Sequence, residues 1–121
     1  MNAHVRLVDY DRSRQHSRYI FRRRGLMTVG ATTILIHTLD VSVQGMGVIG
    51  SLALRCGTSC VITLDVLLGA RVVHLTFSCK VLHCILAGTE GFRSSLYIDD
   101  GVESHQQQLQ KIIAACSALS P

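Results

Sequence analysis

The sequence predicts a mainly β protein, an antiparallel barrel or sandwich that is followed by one C-terminal helix. Apolar residues alternate with other residues in several segments, which is typical of half-buried strands. Short turns containing Gly separate these segments at close spacing, which favours antiparallel pairing over alternating β/α units. Only the end of the chain changes to helical spacing. A length of 121 residues fits one domain with one core.

The strands are predicted in order along the chain. Something around 18–24 supplies the first, and the β-branched stretch at 31–38 is the second. The others follow at 46–54, 60–68, 73–81 and 92–98. Turns are expected at 56–59, 68–70 and 87–91, where Gly occurs each time. Within 81–86 the apolar pattern changes phase, and a bulge or bend is expected there.

A helix is predicted at the C-terminus. Its apolar residues fall on one stripe: Val102, Leu109, Ile112, Ile113, Cys116 and Leu119. Ser104 followed by Gln107 fits a capping box at the start of this helix. The simplest role of the helix is to cover an open end of the barrel.

Positive charge is concentrated at the N-terminus. Residues 1–24 hold seven Arg and two Asp, a balance of +5, whereas residues 25–121 have a balance of −1. We therefore expect a flexible Arg-rich arm at 1–24 and a barrel with its helix at 25–121. Ten of the twelve basic residues are Arg, whose planar donor fork suits phosphate and guanine edges.

The cysteines predict a reduced, cytoplasmic protein. Five is an odd number, and no secretory signal precedes them. Cys60 and Cys79 fall on apolar strand faces, where Cys behaves as a small hydrophobe. The spacings of the Cys and His residues are not those of zinc sites, so no metal is expected. No charge-free stretch is long enough to predict a membrane span.

The stretch LYIDD at 96–100 resembles the Tyr-x-Asp-Asp turn of reverse transcriptases, in which paired carboxylates hold Mg²⁺. The rest of that fold is missing from the sequence. A strand that runs into a polar turn before the helix is therefore the favoured interpretation. Neither a nucleophile elbow nor a phosphate loop is present, and no enzyme is predicted.

Two short motifs remain, one on the arm and one after the second predicted strand. Arg14 and Arg18 form R-x-x-x-R, and Asp40, Ser42 and Gly45 form D-x-S-x-x-G. Asp and Gly are depleted in strands, so their presence here needs a reason. A local turn made by Asp, Ser and Gly is one reason, and a ligand site is another.

In this order and at this distance, the two motifs resemble those of the PilZ domain family. The resemblance covers about residues 12–118 and suggests a single-domain member. It implies a six-stranded antiparallel β-barrel that binds cyclic di-GMP, a bacterial second messenger. Carried over to this chain, it implies the ligand residues Arg14, Arg18, Asp40, Ser42 and Gly45.

One position departs from the family pattern. Many members have a second Arg directly before the first motif Arg, and this chain has Ser13 there. Arg12 and the run that begins at Arg22 could compensate. Arg12, Ser13 and Arg22 are therefore additional candidates for ligand contacts.

The chemistry of the ligand gives each motif residue a role. Arg can donate to guanine O6 and N7, pair with phosphate or stack on a base. Asp40 would accept from guanine N–H groups, and Ser42 would point the same way because residues i and i+2 of a strand share a face. Gly45 would let a base or sugar approach the backbone. Binding would order the arm and create a surface for a protein partner.

Two alternatives stay open. A basic β-barrel could bind nucleic acid through phosphate contacts, although the few aromatic residues, 5% of the chain, speak against stacking platforms. A PilZ-like barrel could also bind no nucleotide and act through protein contacts, as the departure at Ser13 allows.

Overall fold

The computed structural model describes residues 17–99 and 101–119. Within them the elements are β1 (Tyr19–Ile20), β2 (Arg24–Val29), β3 (Thr32–Val41), β4 (Gly45–Gly50), β5 (Ser59–Leu68), β6 (Arg71–Leu86), a 3-10 turn (Gly88–Glu90), β7 (Phe92–Ile98) and the helix α1 (Glu103–Leu119).

The strands close into an antiparallel barrel, which confirms the predicted fold. The hydrogen-bonded order is β1-β3-β2-β5-β6-β7-β4, and β4 pairs back onto β3 to complete a six-stranded ring. The short β1 is an addition to that ring. It pairs with the end of β3, opposite Asp40 and Val41, just beyond the part of β3 that pairs with β2. A sandwich is excluded because the ring is closed.

Alternating apolar residues located most strands well. The predicted strand at 92–98 is β7, and the one at 60–68 is β5 without its first residue. The segment 73–81 belongs to the longer β6, and a register shift between Val81 and His83 confirms the bulge predicted within 81–86. The strand predicted at 46–54 is wrong at its end, since β4 stops at Gly50. Gly50 lies opposite Phe92, the first residue of β7, so the pairing of β4 with β7 ends there.

The core lies inside the barrel and under the helix. Phe77, Ile62 and Ile98 are fully buried, and Cys60 and Cys79 are only 4% exposed, as predicted for apolar strand faces. Helix α1 adds Leu109 and Ile112 to this cluster. The helix contacts β1, β5 and β6, so it covers an end of the barrel.

The start of α1 differs from the prediction. The helix begins at Glu103, so Ser104 lies within the first turn and the predicted capping box with Gln107 is wrong. Asp99 organises the approach instead. Its Oδ1 accepts the Gly101 N–H at 2.9 Å, and its carbonyl lies 3.3 Å from His105 Nδ1. Residues 96–99 are thus a strand end running into a polar turn, as favoured, and Asp100 lies outside the described residues.

Part of the predicted arm packs on the barrel. Within residues 17–24, Tyr19 and Ile20 form β1 and Phe21 is 3% exposed. The Phe21 N–H donates to the Leu39 carbonyl at 3.2 Å. Residues 1–16 lie outside the described part of the chain. Among the helices of the described part, none has the length and apolar character to cross a membrane.

Candidate functional site

The corner between β3 and β4 carries the D-x-S-x-x-G motif. The register of this pair shifts between Thr38 and Asp40: Thr38 lies opposite Val48, and Asp40 lies opposite Gly47. Leu39 is therefore the extra residue of a β-bulge, a feature that re-aims side chains next to it. The bulge places the Asp40 carboxylate beside the backbone of Gly47.

Asp40 is held at this corner by two donors. Its Oδ1 accepts from Arg18 Nη1 at 2.9 Å and from the Gly47 N–H at 3.1 Å. A Cβ on Gly47 would lie only 2.8 Å from the same oxygen, so a larger residue here would displace the carboxylate. Sequence reasoning missed Gly47, although an interior Gly in a strand is a known sign of close approach.

Arg18 reaches Asp40 because β1 pairs with β3. Ile20 lies opposite Asp40, and Tyr19 lies opposite Val41, so the chain just before β1 runs past the corner. The ion pair is partly open to solvent, with the Arg18 side chain 43% exposed and the Asp40 side chain 29% exposed. The structure thus brings together one residue from each predicted motif.

Ser42 has a local role at the corner. The residue is 4% exposed, and its Oγ accepts from the backbone N–H groups of Gln44 at 3.2 Å and Gly45 at 3.3 Å. It lies past the end of β3, so it does not extend the face of Asp40 as a strand residue would. The local turn, one of the two reasons that the sequence allowed for this motif, is therefore formed here. Ser42 also borders the cleft described below.

Gly45 is required by strand packing. Its φ is not in the left-handed region, and a Cβ at this position would lie 2.0 Å from the carbonyl oxygen of Leu96 on β7. The residue is buried. The expected reason for this glycine, close approach of a base or sugar, is therefore not the one that the backbone geometry imposes.

A cleft of about 420 Å³ opens at this corner. One wall is the corner itself, and the other is formed by β6 and β7. The residues that line it are Arg18, Asp40, Ser42, Gln44, Gly45, Gly47, Leu82, His83, Ile85, Arg93, Ser95, Leu96 and Tyr97. The cleft combines two guanidinium groups and an imidazole with one carboxylate and an apolar wall.

The β6 bulge shapes the second wall. Leu82 is the extra residue there, since Val81 lies opposite Leu96 and His83 opposite Ser95. Both Leu82 and His83 are exposed as a result, whereas regular alternation would turn one of them inward. The apolar phase change in the sequence was the signal for this bulge, but nothing in the sequence indicated that its residues face the motif corner.

The remaining predicted site residues divide into two groups. Arg12, Ser13 and Arg14 lie outside the described residues, and the structure says nothing about them. Arg22, an additional candidate, lines a different cleft and not the one at the motif corner. Conversely, sequence reasoning missed Arg93, which enters the cleft through the pairing of β7 with β4.

Comparison with known proteins gives structural matches only. No protein-family model matches the chain, and no curated protein matches it significantly. The inhibitor of motility MotI (DgrA) of Bacillus subtilis superposes with a TM-score of 0.72 at 15% identity, over 88% of this chain and 53% of that one. This chain therefore spans about half the length of that neighbour.

Two further matches are to isolated PilZ domains. The PilZ domain of YcgR from Escherichia coli, a structure with c-di-GMP, gives a TM-score of 0.65 at 18% identity over 88% of this chain and 92% of that one. The PilZ domain of CeSA from a cellulose-synthesizing bacterium gives 0.61 at 16% identity over 87% and 99%. At such identities the matches establish the fold. The closed six-stranded barrel with its C-terminal helix is that of a PilZ-type domain.

Proposed function

We propose that this chain is a cyclic di-GMP receptor that binds the nucleotide in the cleft at the motif corner. The observation that carries the proposal is the contact of Arg18 Nη1 with Asp40 Oδ1 at 2.9 Å inside that cleft. It sets a cationic donor beside a carboxylate acceptor. Guanine nucleotides need both, since they present phosphate and O6/N7 acceptors together with N–H donors.

The other lining residues supply the rest of the chemistry. Arg93 adds a second guanidinium on the opposite wall, and Tyr97 with Leu82 and Ile85 offers aromatic and apolar surface for a base. The Gly47 N–H fixes the orientation of the Asp40 carboxylate before the ligand arrives. A volume of about 420 Å³ falls within the usual range for small-molecule sites. The proposal assigns binding and no reaction.

The structural neighbours support this function. The PilZ domain of YcgR was determined with c-di-GMP, and it shares the fold of this chain. A shared fold does not establish a shared ligand, so the argument rests on the residues in the cleft. There Arg18, Asp40, Ser42 and Gly45 occupy the motif positions.

The proposed mechanism is ordering of the N-terminal arm. Arg14 lies four residues before Arg18 and would join it on the phosphates or guanine edges of the ligand. Binding would then fix the preceding chain over the cleft. A protein partner would read the surface formed in this way, so the ligand would act by shifting a conformational equilibrium.

Calorimetric titration with cyclic di-GMP tests the proposal. Asp40→Ala leaves guanine donors unpaired and should weaken binding by about 2–5 kcal/mol. Arg14→Ala and Arg18→Ala should also lose binding. Arg22→Ala is the matched control because it removes the same charge from the same arm but lines another cleft. Its affinity should equal that of the wild type. Circular dichroism checks that every variant is folded.

The alternatives predict different outcomes. A nucleic-acid-binding barrel would bind oligonucleotides with steep salt dependence and would tolerate Asp40→Ala. A barrel that acts only through protein contacts would show no heat with cyclic di-GMP at tens of micromolar. Either result would end the receptor proposal.

A further inference from the structure

We propose that a second cleft, lined by Arg22, Arg23 and Arg24, is a docking site for an acidic segment of a partner protein. The cleft has a volume of about 470 Å³. Besides the three Arg it is lined by His37, Thr38, Leu39, Ile49 and Glu90. None of these residues lines the cyclic di-GMP cleft, so this site stands independently of the proposed function.

Backbone contacts fix the basic segment in place. The segment 22–24 follows β1, ends in the first residue of β2 and lies along β3. The Thr38 N–H donates to the Arg23 carbonyl at 2.8 Å, and the Arg23 N–H donates to Thr38 Oγ1 at 2.8 Å. Thr38 is 1% exposed and donates its own hydroxyl to the Phe21 carbonyl. The three consecutive Arg are therefore presented from a fixed backbone.

Within the described part of the chain, the three Arg of this cleft outnumber its one carboxylate, Glu90. Within residues 17–99 and 101–119, two ion pairs form, Arg18 with Asp40 and His74 with Asp65. None of the three Arg is therefore paired with a carboxylate there. Arg23 donates Nη1 to the Arg22 carbonyl and lies 5.4 Å above the Phe21 ring. Three guanidinium groups that line one cleft repel one another, and a bound anion would relieve that repulsion.

The lining selects an acidic peptide over a simple oxyanion. Guanidinium groups only donate, so the occupant must be rich in acceptors. Leu39 and Ile49 are half-buried and provide an apolar surface that a free phosphate would leave uncovered. Glu90 at the same cleft opposes a uniformly anionic ligand. A segment that turns both carboxylates and apolar side chains toward this cleft satisfies both kinds of surface, because Arg24, His37 and Ile49 are cross-strand neighbours on one face of the sheet.

Fluorescence anisotropy with a short labelled peptide composed of glutamate and leucine tests this site in the full chain without nucleotide. The double variant Arg22→Gln/Arg24→Gln should bind the peptide about tenfold or more weakly. The control is Arg55→Gln/Arg71→Gln, which removes the same charge from two exposed Arg outside the cleft. It should bind like the wild type.

Two further measurements use the wild-type protein and need no variant. A glutamate–serine peptide of the same length should bind about tenfold more weakly than the glutamate–leucine peptide, since it cannot cover the apolar surface. Pyrophosphate should displace the peptide only at concentrations well above the peptide's own dissociation constant. Equal loss in both double variants, or displacement by pyrophosphate at or below that constant, would overturn the proposal. Calorimetry with cyclic di-GMP on the same double variant should be unchanged, which separates failure of this site from failure of the receptor function.

Discussion

Gly45→Ala should destabilise the barrel itself, beyond any effect on the ligand. A Cβ at this position would lie 2.0 Å from the Leu96 carbonyl oxygen and 3.1 Å from its carbon. Ordinary contact begins near 3.4 Å, so β4 and β7 would have to separate by more than an ångström. The obstacle is backbone, which cannot rotate aside as a side chain can.

The cost can be estimated from what the separation breaks. Neighbouring strands lie about 4.8 Å apart, and an added ångström takes their hydrogen bonds out of range. The Ile98 N–H to Gln44 carbonyl bond, now 2.9 Å, is next to the inserted methyl group. Two or three lost bonds at about 1 kcal/mol each, with overpacking of about 1–3 kcal/mol, give a loss of about 3–6 kcal/mol. That is a large part of the stability of a typical domain.

Guanidinium unfolding followed by circular dichroism measures this loss, and Gly47→Ala is the matched control. Its Cβ would meet the end of the Asp40 side chain at 2.8 Å, and a side chain can move. We therefore expect a loss of only about 1 kcal/mol for Gly47→Ala, together with a clear loss of cyclic di-GMP affinity because the carboxylate is displaced. A Gly45→Ala protein as stable as the wild type would refute the reasoning.

Three other predictions follow from buried groups. Ser42→Ala deprives two backbone N–H groups of their acceptor and should cost about 1–3 kcal/mol of unfolding free energy. Thr38→Val leaves the Arg23 N–H and the Phe21 carbonyl without their hydroxyl partner. A loss of unfolding free energy below about 1 kcal/mol in the same titration would contradict the bridging role of Thr38. In thiol labelling, exposed Cys56 should react before Cys79, because a hydrogen bond with Cys60 and burial raise the pKa of Cys79; equal rates would contradict that order.

Most of the strands were predictable because one face of each is buried. In β5, residues Cys60, Ile62 and Leu64 face the core while Val61 and Asp65 are exposed, and such alternation can be read directly from a sequence. The bulge in β6 was predictable for the same reason, since an extra residue shifts the alternation. The helix stripe containing Leu109 and Ile112 was equally clear.

The second wall of the cleft could not be predicted in this way. Arg93 has no motif around it, and Tyr97 belongs to the stretch at 96–100, whose resemblance pointed to a different fold. Both reach the site only because β7 pairs with β4 in one register. Register depends on contacts between segments far apart in the chain, which local patterns do not specify. The prediction of where α1 begins was wrong for a different reason. The turn before the helix is organised by Asp99, which precedes the predicted cap.

The solvent exposure of the Arg18–Asp40 pair would allow one corner to be both part of the fold and the proposed ligand site. At 43% and 29% side-chain exposure, such a pair adds little to stability, about 0–1 kcal/mol. A ligand that replaces this contact with its own phosphate and guanine groups therefore gives up almost none of the folding free energy. In the proposed receptor, the buried members of the motif, Ser42 and Gly45, would hold the corner in shape during that exchange. The motif thus divides into residues that build the corner and residues that are free to change partners.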